Sequence, residues 1–307
     1  MPTYGMGEAI REMRLRLGYT QEELAYGICT PGTLSRIENG KAIMSKQVFE
    51  ALWSRMPGLH HAWISCEAKK EMQRSKLCKQ TLLYLAMRMM PDAKQAMEQY
   101  RRLMDEKNHF CLQFAWYTQA IYQAILQERE SEILPELRRA LKLTMPHWRE
   151  RLWGQKRIAI LSYDEIYILS NMGIAYARQR EMELSFQILF YLKDYLKRQN
   201  LDWADSNRIG PMIFGNLAWL LEKQGRYNEA VKQCDHGIRI CCFTGNYTVL
   251  PQLLCIKAWC ITASGNQRMA EKSIRQAEAI LDITDGYRGY GSFGEFYKAK
   301  EPIFVTF

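Results

Sequence analysis

No C-x-x-C pair, no H-E-x-x-H run and no glycine-rich phosphate loop occurs in this chain. Their absence removes zinc ribbons, thioredoxin-like redox centres, zinc proteases and P-loop nucleotide enzymes from consideration. Histidine is scarce as well: the 5 present, at positions 60, 61, 109, 147 and 236, are scattered, and no paired-carboxylate signature accompanies them. The expectation is therefore a protein that is not an enzyme and needs neither metal nor cofactor. No run of about 18 apolar residues could span a bilayer, and MPTYGMGEAIREMR lacks the apolar core of a signal peptide, which predicts a cytoplasmic protein with no membrane partner.

What is present is a sequence rich enough in core-forming residues to fold. With 48% hydrophobic residues, 19 Gly and 9 Pro in 307 positions, the chain can bury real cores, and its length predicts two domains. The net charge of +9 points toward a polyanionic partner. Residues 1 to 60 nevertheless hold seven Lys or Arg against six Asp or Glu, so that portion could hold nucleic acid only through a few well-placed cations and neutral donors. Doubling by homodimerisation would then help. The 9 cysteines sit mostly in apolar helical stretches and read as reduced core thiols; the adjacent Cys241 and Cys242 could alternatively form a redox or soft-metal sensor.

The stretch TQEELAYGICTPGTLSRIENGK, residues 20 to 41, carries the sharpest local signals. Before it, Ile10, Met13 and Leu17 recur at helical spacing and Gly18 terminates a first helix. Thr20 and Glu23 form a capping box ahead of Leu24, Ala25 and Ile28, the apolar face of a short second helix. Thr30 can cap a third helix with Pro31 at its first position, Leu34 and Ile37 inside, and Asn39-Gly40 ending it. A fourth follows Ser45 and buries Val48, Phe49 and Leu52. The outer face of the third helix bears Gly32, Thr33, Ser35 and Arg36, small donors and one forked cation suited to a DNA groove. Gln21, at the start of the second helix, would point its amide at the DNA backbone, Thr30, at the start of the third, would also contact DNA, and Lys41 and Lys46 would contact flanking phosphates.

TQEELA followed by TLSRIENGK resembles the helix-turn-helix of Cro/C1-type (XRE) regulators over roughly residues 6 to 56. The segment from Leu24 to Gly40 is one residue shorter than the commonest pattern and carries Cys29 where a turn glycine usually stands. That shortened form is similar to the heads of the RNPP group of peptide-sensing quorum regulators, the Rgg, NprR, PlcR and PrgX types. The resemblance implies a DNA-binding transcriptional regulator that recognises double-stranded operator DNA as a homodimer and responds to a short signalling peptide.

Beyond Cys66 the pattern is helix after helix. The run Leu169, Met172, Gly173, Tyr176 is echoed by Phe214, Leu217, Ala218, Leu221 and more weakly by Leu254, Ala258, Ile261. A second small residue follows each: Ser185, Ala230 and Ala270, with Gly225 and Gly265 turning the last two hairpins. These are TPR-like units, longer than the usual repeat of about 34 residues. Two further pairs upstream predict an all-α chain: a helix-turn-helix bundle at residues 1–58, a linker at 59–66, a TPR-like peptide-binding and dimerisation solenoid at 67–284 with a concave inner wall, and a tail or cap at 285–307.

Asn171 and Asn216 occupy equivalent positions in adjacent repeats, where paired amides could grip the backbone of an extended peptide. The same register puts Tyr167, Ile174, Arg178, Trp219, Lys223 and Trp259 on the inner wall. The basic stretch 138 to 157 (Arg138, Arg139, Lys142, Arg149, Arg151, Lys156, Arg157) reads as a solvated face, an attractor of anionic peptide or an auxiliary DNA contact. An alternative reading of the whole chain is an XRE-type repressor or antitoxin whose repeats bind a protein partner.

Overall fold

A computed structural model of the protein describes residues 6–42, 44–56, 68–127, 133–153, 160–198, 203–284 and 292–299. The expected linker, the His60-His61 pair, Cys66 and the ends of the tail lie outside them.

The amino-terminal unit comprises α1 (Met6–Arg16), α2 (Gln21–Ala25), α3 (Pro31–Glu38) and α4 (Lys46–Ser54). Each start after the first is set by a side-chain cap. Both halves of the Thr20–Glu23 capping box form, Thr30 accepts from the Thr33 amide ahead of Pro31, and Ser45 accepts from the Val48 amide. Every such cap satisfies an amide that the helix itself leaves orphaned, a contribution of about 1 kcal/mol. Gly18 takes up the left-handed backbone after α1, with φ 72°. Ile10, Leu24, Ala25, Leu34, Leu52 and Met56 make the core of this unit. Ile160, more than a hundred residues away in sequence, joins that core from the helical domain.

The rest is a succession of paired helices: α5 (Ala68–Ala86) with α6 (Met90–Leu103), α7 (His109–Gln127) with α8 (Leu134–Lys142), the short α9 (Trp148–Trp153), then α10 (Tyr163–Arg178) with α11 (Met182–Arg198), α12 (Trp203–Lys223) with α13 (Tyr227–Thr244), and α14 (Leu250–Ala263) with α15 (Gln267–Thr284). The small residues of the repeats let paired helices approach closely. A Cβ on Gly173 would stand 3.0 Å from Leu189 Cγ, so the α10–α11 pair closes to its present distance only over a glycine. Gly225 and Gly265 hold the left-handed turns of the last two pairs, and Arg88 and Arg180 take the same conformation between α5 and α6 and between α10 and α11.

The inner helices are more deeply sunk than expected. Every residue of α10 from Glu165 to Tyr176 is buried, as is most of α12 and α14. A last helix, α16 (Phe293–Ala299), belongs to the tail and lays Tyr297 against Trp259 of α14 at 5.8 Å between ring centroids. This segment of the tail thus packs on an inner helix of the last pair. No strand occurs among the described residues, and no helix there is long and apolar enough to cross a membrane.

Candidate functional site

The outer face of α3 is open. Thr30, Gly32, Thr33 and Arg36 are exposed and Ser35 is half-buried, while Leu34 and Ile37 face the core. The hydroxyls of Thr30 and Thr33 lie 2.9 Å apart, so the two donors form one small polar patch at the helix start. Arg36 has no hydrogen-bond or ion-pair partner among the described residues, which leaves its whole guanidinium fork available to a base edge or phosphate. Lys41 is exposed beyond Gly40, and Lys46 opens α4 with its side chain outside the described atoms.

Gln21 departs from expectation. Its amide does not project outward but donates to Glu38 Oε2 at 2.8 Å. The reason is a buried carboxylate at the end of α3 that needs donors. Arg14 meets Glu38 with both Nε, at 2.5 Å from Oε1, and Nη2, at 2.8 Å from Oε2. Arg14 also donates to the Tyr19 carbonyl at 2.7 Å. This forked pair, with the Gln21 amide, braces α3 against α1 and α2 and so fixes the angle at which the exposed face is presented.

The opposite side of the unit is tied to the helical domain. Arg55, the residue after α4 and fully enclosed, donates to the Tyr26 carbonyl and lies 3.4 Å from Glu165 Oε1 at the start of α10. Glu165 accepts from Thr144 Oγ1 at 2.8 Å, and Thr144 accepts from Gln113 Nε2 at 2.6 Å. Glu165 also caps α10 through the Ser162 amide, so the carboxylate that holds Arg55 is part of the first turn of an inner helix. A second tie runs through Glu50, which accepts from Asn108 Nδ2 at 2.9 Å and lies 3.5 Å from Arg74 of α5. The Arg55–Glu165 network was not found in the sequence because its members sit on five separate elements.

The expected amide clamp requires correction in its surroundings. Asn171 and Asn216 are brought to adjacent inner helices, yet neither lines an open wall: both are interior. Asn171 Nδ2 donates to Tyr117 Oη at 3.0 Å and to the Tyr167 carbonyl at 2.8 Å, while Asn216 Nδ2 donates to Ser170 Oγ at 3.0 Å. The physical cause is the direct packing of α10 against α7, α8 and α12, which buries the polar positions along with the apolar ones. One acceptor, Asn171 Oδ1, is buried with no hydrogen-bond partner. Burial pushes the Tyr117 phenol well up, keeping it protonated. Tyr167, Ile174, Trp219 and Trp259 are likewise enclosed rather than open. Arg178 is half-buried at the end of α10, and Lys223, at the end of α12, is exposed and stands 5.7 Å over the Trp219 ring.

The two adjacent cysteines separate. Cys241 is enclosed, and burial pushes its thiol up to about 12, so it is not a reactive thiolate. Cys242 is exposed instead of sharing the core. Among the described residues no group of three or more His, Cys, Asp or Glu could hold a metal ion.

A capped three-helix turn with an open third helix, fastened to stacked helical pairs, is the architecture of a DNA-binding transcriptional regulator of helix-turn-helix type. Residues 10–52 match the helix-turn-helix family described as HTH_3. No curated protein matches the chain. Among solved structures, PlcR of Bacillus thuringiensis in complex with the peptide PapR7 and DNA has the same fold. It is 17% identical, with a TM-score of 0.58 over 95% of this chain and 99% of that one. The Streptococcus dysgalactiae SHP pheromone receptor Rgg2(C45S) is a more distant match, 15% identical with a TM-score of 0.43 over 96% of this chain and 98% of that one.

Proposed function

We propose that this protein controls transcription by binding operator DNA through α3, as a pair of chains, and that a short peptide taken up by the helical domain alters that binding. The observation that carries the reading is the buried Arg55–Glu165 contact, because it makes the seating of the DNA-reading unit depend on the first turn of an inner helix. A ligand changes DNA affinity only if it prefers one arrangement of the two domains over another. Any ligand that shifts α10 works directly on that seating.

Two further features support a peptide as the effector. PlcR, whose fold this chain shares, has been captured with a peptide and DNA together. Within the helical domain, Asn171 Oδ1 is an enclosed acceptor lacking a donor, a situation that costs about 1–3 kcal/mol and that a peptide N–H would relieve on entry. Arg178 and Lys223 stand at the ends of the same inner helices, where cations suit an acidic group of the ligand. Gel shifts on the promoter of the protein's own gene, with and without peptide fractions of spent culture medium, test the reading. A shift that depends on such a fraction is expected; identical shifts throughout would sink the peptide half and leave the DNA half standing.

A further inference from the structure

Two arginines from different helices converge on one phenol at the junction of α8, α9 and α10. Arg138 donates to Tyr176 Oη with Nε at 3.2 Å and Nη2 at 2.7 Å, and Arg149 approaches the same oxygen with Nη2 at 3.4 Å. Arg138 also lies over the Tyr176 ring, 5.3 Å from its centroid. Neither arginine has a carboxylate partner among the described residues. Glu150, the neighbour of Arg149 in sequence, stands 3.4 Å from His147 instead.

The arrangement is short of negative charge and of acceptors. A phenol oxygen offers two lone pairs, yet three guanidinium N–H groups point at it. The remaining N–H groups of both forks, and the hydroxyl proton of Tyr176, have no protein acceptor among the described residues. Tyr176 is enclosed and Arg138 half-buried, while Arg149 is exposed, so water screens the mutual repulsion of the two cations from one side only. A bound oxyanion would answer each deficit at once: it would offset both charges, fill the free N–H groups and accept the phenol proton. The two guanidinium groups are held together at a hydroxyl whose ring is fixed in the core.

We propose that Arg138, Arg149 and Tyr176 form a binding site for an oxyanion, a carboxylate or phosphate group carried by a ligand. The site does not depend on the peptide reading, and its test does not involve DNA.

Acetate and phosphate are titrated separately into the full chain at constant ionic strength, balanced with chloride, and binding is followed by calorimetry and by thermal unfolding. The site predicts saturable binding of at least one of them, with half-saturation raised at least tenfold in Arg149→Gln and in Tyr176→Phe. Tighter acetate binding identifies a carboxylate ligand; tighter phosphate binding identifies a phosphorylated one. Arg149 is exposed, so its replacement removes no buried side chain and, apart from the approach to Tyr176, loses only the contact 5.3 Å over the Trp148 ring, and Tyr176→Phe keeps the ring. General salt stabilisation does not saturate and is the same in the variants. Equal half-saturation in the variants, no binding of either anion, or an equal effect of chloride overturns the proposal.

Discussion

Arg55 and Glu165, 110 residues apart, meet at 3.4 Å with neither side chain open to solvent. Removing one partner of such a pair strands the other charge in the interior, at a cost of about 3–5 kcal/mol, whereas exchanging both for apolar residues of similar size is much less damaging. Glu165→Leu and Arg55→Met are each expected to destabilise strongly, and the double variant is expected to recover a substantial part of the sum. A denaturant double-mutant cycle measures this. Additive losses would mean that the two groups, although adjacent, do not couple the domains.

Arg36 reads or positions DNA if the exposed face of α3 is the interface. Its side chain is exposed and has no hydrogen-bond or ion-pair partner among the described residues, so Arg36→Ala should leave the unfolding free energy within about 0.5 kcal/mol of the parent. The same change should cost about 1–3 kcal/mol of specific operator affinity in a gel shift. Unaltered affinity would move recognition to another element.

The seat of α3 depends on a glycine that the sequence did not flag. A Cβ on Gly7 would fall 2.0 Å from the Ile37 carbonyl oxygen, a backbone atom that cannot step aside alone. Gly7→Ala therefore has to push α1 off the end of α3, with an overpacking cost of about 1–3 kcal/mol and a loosened Arg14–Glu38 brace. Thermal unfolding reads the first effect, and a drop in operator affinity without any change in α3 itself reads the second.

Arg180 occupies the left-handed backbone region, φ 66°, where Gly225 and Gly265 stand in the later pairs. A non-glycine residue there is strained, by roughly 1 kcal/mol. Arg180→Gly relieves that strain but loosens the unfolded chain, so the expected gain is small, about 0.5 kcal/mol, measured as a higher denaturant midpoint. A loss of stability would show that the Arg180 side chain makes up for its backbone.

Features set by neighbours in sequence were legible in it. Thr20 with Glu23, Thr30 with Pro31, and Ser45 each announce a helix start because a cap needs only residues within one turn. Gly173 announced a close helix contact for the same reason, since only its own side chain matters. Side-chain direction was not legible where a distant partner decides it. Gln21 turns inward to a carboxylate that Arg14 already holds, and Arg55 and Glu165 look like solvated charges until the fold brings them together. The enclosure of Asn171 did leave a trace: from Ile166 to Ala177 no charged residue interrupts α10, and a helix apolar all round has no face to offer water.

That enclosure makes Asn171 the most informative position in the helical domain. Its Nδ2 ties Tyr117 on α7 to the backbone of α10, while its Oδ1 is left without a donor. Asn171→Ala removes the tie and strands the Tyr117 hydroxyl, which predicts a loss of about 1–3 kcal/mol in chemical denaturation. Tyr117→Phe deletes the hydroxyl itself, so combining it with Asn171→Ala should cost less than the sum of the two. If a peptide engages Oδ1, Asn171→Ala also abolishes the effector-dependent gel shift, and Tyr117→Phe, which leaves that acceptor in place, does not. A response lost equally in both variants would show that the two residues matter only as packing.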